Sequence, residues 1–227
     1  MRIITNETLY RRSTRAAFIA NIGGMFLLVA SVFVLFNAPE RFGLYLLFLL
    51  AGVISVQVGS YFGRWNRRPD RALNRALKSL DGSYTLYHYR SPASHLLLGP
   101  SGLWILVPRH TRGTITYDAK RRRWRVKAKS FLARFGQEGI GRPVQEASME
   151  AEALDRYFQK HWRGGALHVQ AALVFVDEET EVQGDAAPIP SVSIKKLKQM
   201  LLKSDSKGRL SREQVRQLGL LFEQKPR

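Results

Sequence analysis

Two stretches of 21 residues, Ala16 to Phe36 and Phe42 to Phe62, carry no charged side chain. A helix rises about 1.5 Å per residue, so each stretch is about 30 Å long as a helix, the thickness of a bilayer's hydrocarbon core. The segment between them, Asn37-Ala38-Pro39-Glu40-Arg41, has no net charge and is long enough only for a turn. The sequence therefore predicts a transmembrane helical hairpin. Neither stretch contains Asp, Glu, Lys, Arg or His, the residues that build ion pathways and proton relays, so the hairpin reads as an anchor. Asn21 and Gln57 fall at matching depths, and a hydrogen bond between them would be worth about 0.6 kcal/mol. Ala20-xxx-Gly24 and Ser55-xxx-Gly59 have the small-xxx-small spacing that lets helix backbones approach closely.

The charges beside the two stretches give an orientation. Arg2, Arg11, Arg12 and Arg15 precede the first, with Glu7 the one acid. Arg64, Arg67, Arg68, Arg71, Arg75 and Lys78 follow the second, against Asp70. Basic flanks are retained on the cytoplasmic side, so both ends are expected there. A cleaved signal peptide fits poorly, because the first run is too long, no small-x-small site follows Phe36, and a second span comes at once. The absence of cysteine suits a cytosolic domain without disulfides.

The expected organisation is a basic cytoplasmic N-terminus (1–15), a two-span hairpin (16–62) and a cytoplasmic domain (63–227), long enough for one core. Thirty-one of the 36 basic residues and 16 of the 18 acidic ones lie beyond residue 62, which leaves that domain at +15. Such a surplus suits phosphate backbones or anionic lipid head groups.

Within the domain, Pro69-Asp70-Arg71 and then Leu73, Ala76, Leu77 and Leu80 have helical spacing, with Asp81-Gly82 as a stop. Ser83 to Tyr89 alternates as a strand. The runs His95 to Leu98 and Leu103 to Val107 flank Gly99-Pro100-Ser101-Gly102, which predicts a hairpin of buried strands. Thr114 to Tyr117 and Trp124 to Lys127 make a second hairpin. Gln145 to His161 is helical, Leu167 to Val176 a strongly apolar strand, and Asp177 to Pro190 a loop. Two helices follow, Ile194 to Lys203 and one from Ser211, whose spacing to Gln214 is that of a capping box. The predicted fold class is α/β with a mixed central sheet flanked by helices.

These residues resemble the nuclease-related domain (NERD) of the restriction-endonuclease-like superfamily. The central block His95-Leu96-Leu97-Leu98-Gly99-Pro100-Ser101-Gly102-Leu103-Trp104-Ile105-Leu106 carries the likeness, and Gly113-Thr114-Ile115, Pro143-Val144-Gln145 and Leu173-Val174-Phe175 follow in family order. The resemblance implies an active site in which acidic side chains hold Mg²⁺ that activates water at a phosphodiester, assisted by a Lys. Aligned on Gly99-Pro100, the family's metal-binding Asp falls at Ser94, its Glu at Val107, its Lys at Arg109 and its helix Glu at Asp70, while Gln145 opens the later helix. A hard cation needs carboxylate oxygens, which Ser94 and Val107 lack. The resemblance thus implies a degenerate site, with no cofactor unless acids come from elsewhere.

Other catalytic signatures are missing. The five histidines, His88, His95, His110, His161 and His168, show no HExxH or i, i+4 pairing, and Gly99 to Gly102 lacks the Lys-Ser/Thr of a phosphate-binding loop. What remains is a basic run, Lys120, Arg121, Arg122, Arg123, Arg125, Lys127 and Lys129, with Trp124 inside it. On a strand, Arg123, Arg125 and Lys127 share one face and could meet successive phosphates of nucleic acid or lipid. A weaker patch, Lys195, Lys196, Lys198 and Lys203, reads as the solvated side of a helix.

Three functions follow. The first is a membrane-tethered binding module that has lost catalysis and engages nucleic acid. The second is an interaction or scaffold domain that meets a protein partner or the anionic leaflet. The third is a metal-dependent nuclease whose acids are relocated to Asp70, Asp118 or Glu146. The sequence favours a non-enzymatic module and leaves the first two open.

Overall fold

The computed structural model describes residues 1–63, 68–127, 139–203 and 208–224. It divides into two compact units, one formed by Met1–Asn6 with Pro69–Arg227 and the other by Glu7–Arg68.

The second unit is the helical hairpin. Helix α1 (Glu7–Asn37) and helix α2 (Phe42–Gly63) are joined by a single 3-10 turn, Pro39–Arg41. Both are long and apolar enough to cross a membrane. Their large apolar side chains point outward, with Phe26 at 74% and Phe36 at 79% exposure, as a lipid-facing surface requires and a water-soluble core helix does not. The helices meet where side chains are small. A Cβ on Gly24 would lie 3.0 Å from the Gly52 carbonyl oxygen, and one on Gly59 would collide with the Asn21 side chain. The Ser55 hydroxyl donates to the Ala20 carbonyl at 2.8 Å. Among the described residues, Asn21 packs on Gly59 and is not hydrogen-bonded to Gln57, so backbone proximity takes the place of the expected amide pair.

The first unit is a three-layer α/β domain. Its main sheet runs β1 (Arg2–Thr5), β2 (Thr85–His88), β3 (His95–Gly99), β4 (Gly102–Arg109), β7 (Val169–Phe175) and β9 (Ser191–Ser193), in that order across the sheet. The pairs β1–β2, β4–β7 and β7–β9 are parallel, and β2–β3 and β3–β4 antiparallel, so the sheet is mixed as expected. A second sheet has the order β6 (Arg123–Lys127), β5 (Thr114–Asp118), β8 (Glu181–Gln183).

Alternation along the central strands sends side chains to two cores. Leu96, Leu98, Leu103, Ile105, Val107 and Phe175 face α4 (Pro143–His161) and α6 (Arg212–Gln224), which contribute Leu154, Phe158, Leu218 and Phe222. Leu86, Leu97, Trp104, Leu106, Ala172 and Val174 face α3 (Pro69–Leu77) and α5 (Ile194–Lys203), which contribute Leu73, Leu77, Ile194, Leu197 and Leu201. Burial on both faces explains the unbroken apolar runs of β3 and β4. Their connection is the Pro100-Ser101 turn. Gly102 has φ +111° with the Gly208 carbonyl packed against it, and the Tyr84 ring occupies the space where Gly99 lacks a side chain.

Two sequence expectations are corrected. Residues 1–15 were expected to be a basic tail, yet Arg2 to Thr5 form the edge strand β1, paired with Thr85 to His88. Helix α1 likewise starts at Glu7, ahead of the apolar stretch. The loop from Asp177 to Pro190 contains β8, which pairs in parallel with β5. Both strands are short, and their partners lie far away in sequence.

Candidate functional site

The basic hairpin β5–β6 and the start of α4 enclose a cleft of about 480 Å³. Arg122 and Arg123 come from the hairpin, Tyr117 and Trp124 from its two strands, and Arg142 and Gln145 from the helix start. Asp118 caps the turn by accepting the Arg121 backbone N–H at 3.1 Å, and Arg122 adopts φ +50° to complete it. Asp118 also pairs with Arg125 at 2.7 Å, so these contacts hold its carboxyl below the usual carboxylate range. Trp124 is oriented by edge-on contacts with Tyr117 at 5.0 Å and Phe175 at 6.0 Å. Helix α4 begins with Pro143 behind Arg142, and no side chain caps it, which leaves backbone N–H groups and the positive end of the helix dipole at the cleft.

The expected basic run therefore separates into parts. Arg122 and Arg123 line the cleft and, among the described residues, have no acidic partner. Arg125 is consumed by Asp118. Lys120, Arg121 and Lys127 are exposed outside the cleft, and Lys129 lies outside the described residues. The flat face of Arg123, Arg125 and Lys127 is thus not a uniform row of free cations. Arg142 and Tyr117 join the site through the fold, and nothing in the basic run's own sequence marked them. In the weaker patch, Lys198 is tied to the Ser79 carbonyl and hydroxyl at 3.2 and 2.8 Å.

The positions aligned with the family's active site lie elsewhere. The β3–β4 register, extended two pairs, sets Ser94 across from Val107, and Val107 belongs to the core. Arg109, at the end of β4, donates to the carbonyls of Ile140 (2.7 Å) and Pro108 (2.9 Å) and to Glu146 (2.5 Å). Its guanidinium is therefore already occupied. Ser94 hydrogen-bonds Glu150, one turn after Glu146 on α4; burial nevertheless pushes the Glu150 carboxyl up, and its Oε2 is buried without a partner. Gln145 is exposed and receives a 3.4 Å contact from Arg142. Glu150 was missed in the sequence, although it occupies the stripe of Pro143, Ala147 and Leu154, where a charge is itself a signal.

Comparison with protein-family models, curated proteins and solved structures found no match.

The acids offered for a relocated metal site do not assemble. Asp70 is buried on α3, which covers the opposite face of the sheet from α4, while Asp118 is held by Arg125 and Glu146 by Arg109. Among the described residues, no three His, Asp or Glu side chains form a group able to hold a metal ion.

Proposed function

We propose that this chain is a membrane-anchored binding module, a catalytically degenerate relative of the nuclease-related domain, whose β5–β6 cleft takes a short stretch of single-stranded nucleic acid. The likeness is supported by the succession of α3, the Gly-Pro turn between β3 and β4, the Gly-Thr hairpin, α4 and β7. Loss of catalysis is supported by Ser94 and Val107 standing where metal-binding acids are needed, and by Arg109 being engaged with Glu146. Anchoring is supported by the two outward-facing apolar helices.

The observation that carries the ligand class is the pairing of cations with an aromatic face in one cleft. Arg122, Arg123, Arg142 and the start of α4 meet phosphates, while Trp124, steadied by Phe175, offers a ring for a base. A lipid head group or an acidic protein would need the arginines without the ring.

The test is binding of a labelled single-stranded oligonucleotide to the full chain in nanodiscs of neutral lipid. With three phosphates neutralised, log K falls against log salt with a slope of about −2. Replacing Arg122, Arg123 and Arg142 together with Ala flattens that slope and weakens binding, and Trp124 fluorescence responds to the ligand. No binding at low salt, or undiminished binding by the triple variant, overturns the assignment. Selective attachment to anionic vesicles in its place favours the leaflet.

A further inference from the structure

Helices α3 and α5 pack against each other on one face of the main sheet, over a core that includes Leu73, Leu77, Leu197 and Leu201. In each helix these leucines are one turn apart, so the opposite side of the helix turns outward. On α3 and the turn after it, that side carries Arg71, Arg75 and Lys78, at i, i+4 and i+7. On α5 it carries Lys195, Lys196 and Lys203, and all six cations are exposed. Lys198 instead bonds the Ser79 carbonyl and hydroxyl and ties the two helices together.

The charge on this face is one-sided. The two helices hold a single acid, Asp70, and it is buried. Among the described residues, none of the six cations has an acidic partner, in contrast to Arg125 of the β5–β6 hairpin, which Asp118 takes up. Leu202 stands 51% exposed among these lysines, and neither helix carries an aromatic ring. Cations around an exposed leucine suit a layer of anionic lipid head groups. The ring on which a nucleic-acid base would stack is missing from both helices.

The chain itself favours one polyanion. Five residues separate the end of α2 at Gly63 from the start of α3 at Pro69, and three of them are Arg64, Arg67 and Arg68. A link of that length spans at most about 20 Å. With α2 across a bilayer, the head groups are therefore always within reach of α3.

We propose that the α3–α5 face docks on an anionic leaflet, with its six cations among the lipid head groups and Leu202 at the acyl boundary. The proposal rests on the anchored reading of the hairpin. Because α4 covers the opposite face of the sheet, docking leaves the start of α4 and the β5–β6 cleft turned away from the lipid.

The chain has no cysteine, so one introduced thiol labels one place. A nitrobenzoxadiazole dye is attached at Gln199→Cys, on the outward side of α5, or at Met149→Cys, 68% exposed on α4. The labelled full chain is set in nanodiscs of phosphatidylcholine, alone or with about one third phosphatidylserine, that also hold a lipid with a nitroxide on its head group. In the anionic discs the nitroxide quenches the Gln199 dye more than the Met149 dye, and raised salt or neutral discs abolish the difference. Replacing Arg71, Arg75, Lys195 and Lys196 together with Gln, a good helix former, lowers the docked-to-free ratio about fivefold per cation at an unchanged melting temperature. The wild type's own response to lipid charge keeps the test independent of that variant's folding. Equal quenching at the two sites in anionic discs, or a difference that survives in neutral discs or in the four-residue variant, overturns the proposal. Equal quenching together with loss of oligonucleotide binding in that variant assigns the face to nucleic acid instead. A chain that elutes apart from both kinds of disc contradicts the anchored reading and the docking with it, whereas retention in both with equal quenching removes the docking alone.

Discussion

His88 and His95 stand directly opposite each other on β2 and β3, buried, with their Nδ1 atoms 2.7 Å apart. His88 Nε2 lies 2.8 Å from the Asn74 Oδ1 acceptor, so that nitrogen carries the proton, His88 Nδ1 accepts, and His95 Nδ1 donates. The tautomers of both rings follow from one helix residue.

Acid therefore destabilises the domain. Burial, and then the neighbouring His88, hold His95 well below the ordinary histidine pKa. Below about pH 6.5 the unfolded chain binds a proton that the folded His95 refuses, so this contribution is complete above that pH and is lost on acidification, by up to about 1.4 kcal/mol per pH unit. Thermal unfolding of the full chain in detergent comes at a lower temperature at pH 5 than at pH 7.5, and His95→Gln narrows the gap. Identical melting of the wild type at both pH values contradicts this.

Glu150 acts in the opposite sense. Its carboxyl is raised by burial, so the ionised form at neutral pH is a cost, and that cost disappears once the group is protonated in both states. Glu150→Gln is expected to stabilise the protein by about 1 kcal/mol at pH 7.5 and by little near pH 4. Denaturant titrations at the two pH values measure the difference; a loss of stability at pH 7.5 rules out the burial account.

Arg109→Lys introduces the residue type that the resemblance puts at that position, and it weakens the protein. A lysine ammonium cannot reach the Ile140 and Pro108 carbonyls and the Glu146 carboxylate at once. The expected loss is about 2 kcal/mol by equilibrium unfolding. A neutral result would mean that the three contacts are dispensable.

Strand β1 separates two otherwise similar substitutions. Arg2 N–H donates to the Tyr84 carbonyl at 2.8 Å and Asn6 N–H to the His88 carbonyl at 3.0 Å, and in a parallel pair every second residue bonds the same neighbour, so Ile4 shares that role while Ile3 faces the open edge. Ile4→Pro is expected to cost about 1–3 kcal/mol, whereas Ile3→Pro is tolerated. Hydrogen exchange of the β2 amides reports it: equal protection in the two variants removes β1 from the sheet's stability.

How far the fold could be read follows from how local each signal is. The β3–β4 hairpin was legible because strands buried on both faces need continuous apolar runs around a turn. The capping box was legible because it spans three residues, and Ser211 and Gln214 exchange hydrogen bonds of 2.9 and 3.2 Å. Strand β1 was not, since its four residues become a strand only against a partner about eighty positions later. Likewise the basic run was visible as charge, but Asp118 neutralising Arg125 and Arg142 completing the cleft depend on tertiary contacts.

The parallel pairing of β1 with β2 constrains the hairpin between them. The whole hairpin is spliced into one strand-to-strand crossover, so β1 is synthesised early and waits unpaired until both apolar helices and α3 have followed. If only one helix entered the bilayer, residues 2–5 would be stranded across it from residues 85–88, and the sheet would lack its edge. A complete sheet thus requires that both helices cross a bilayer or that neither does.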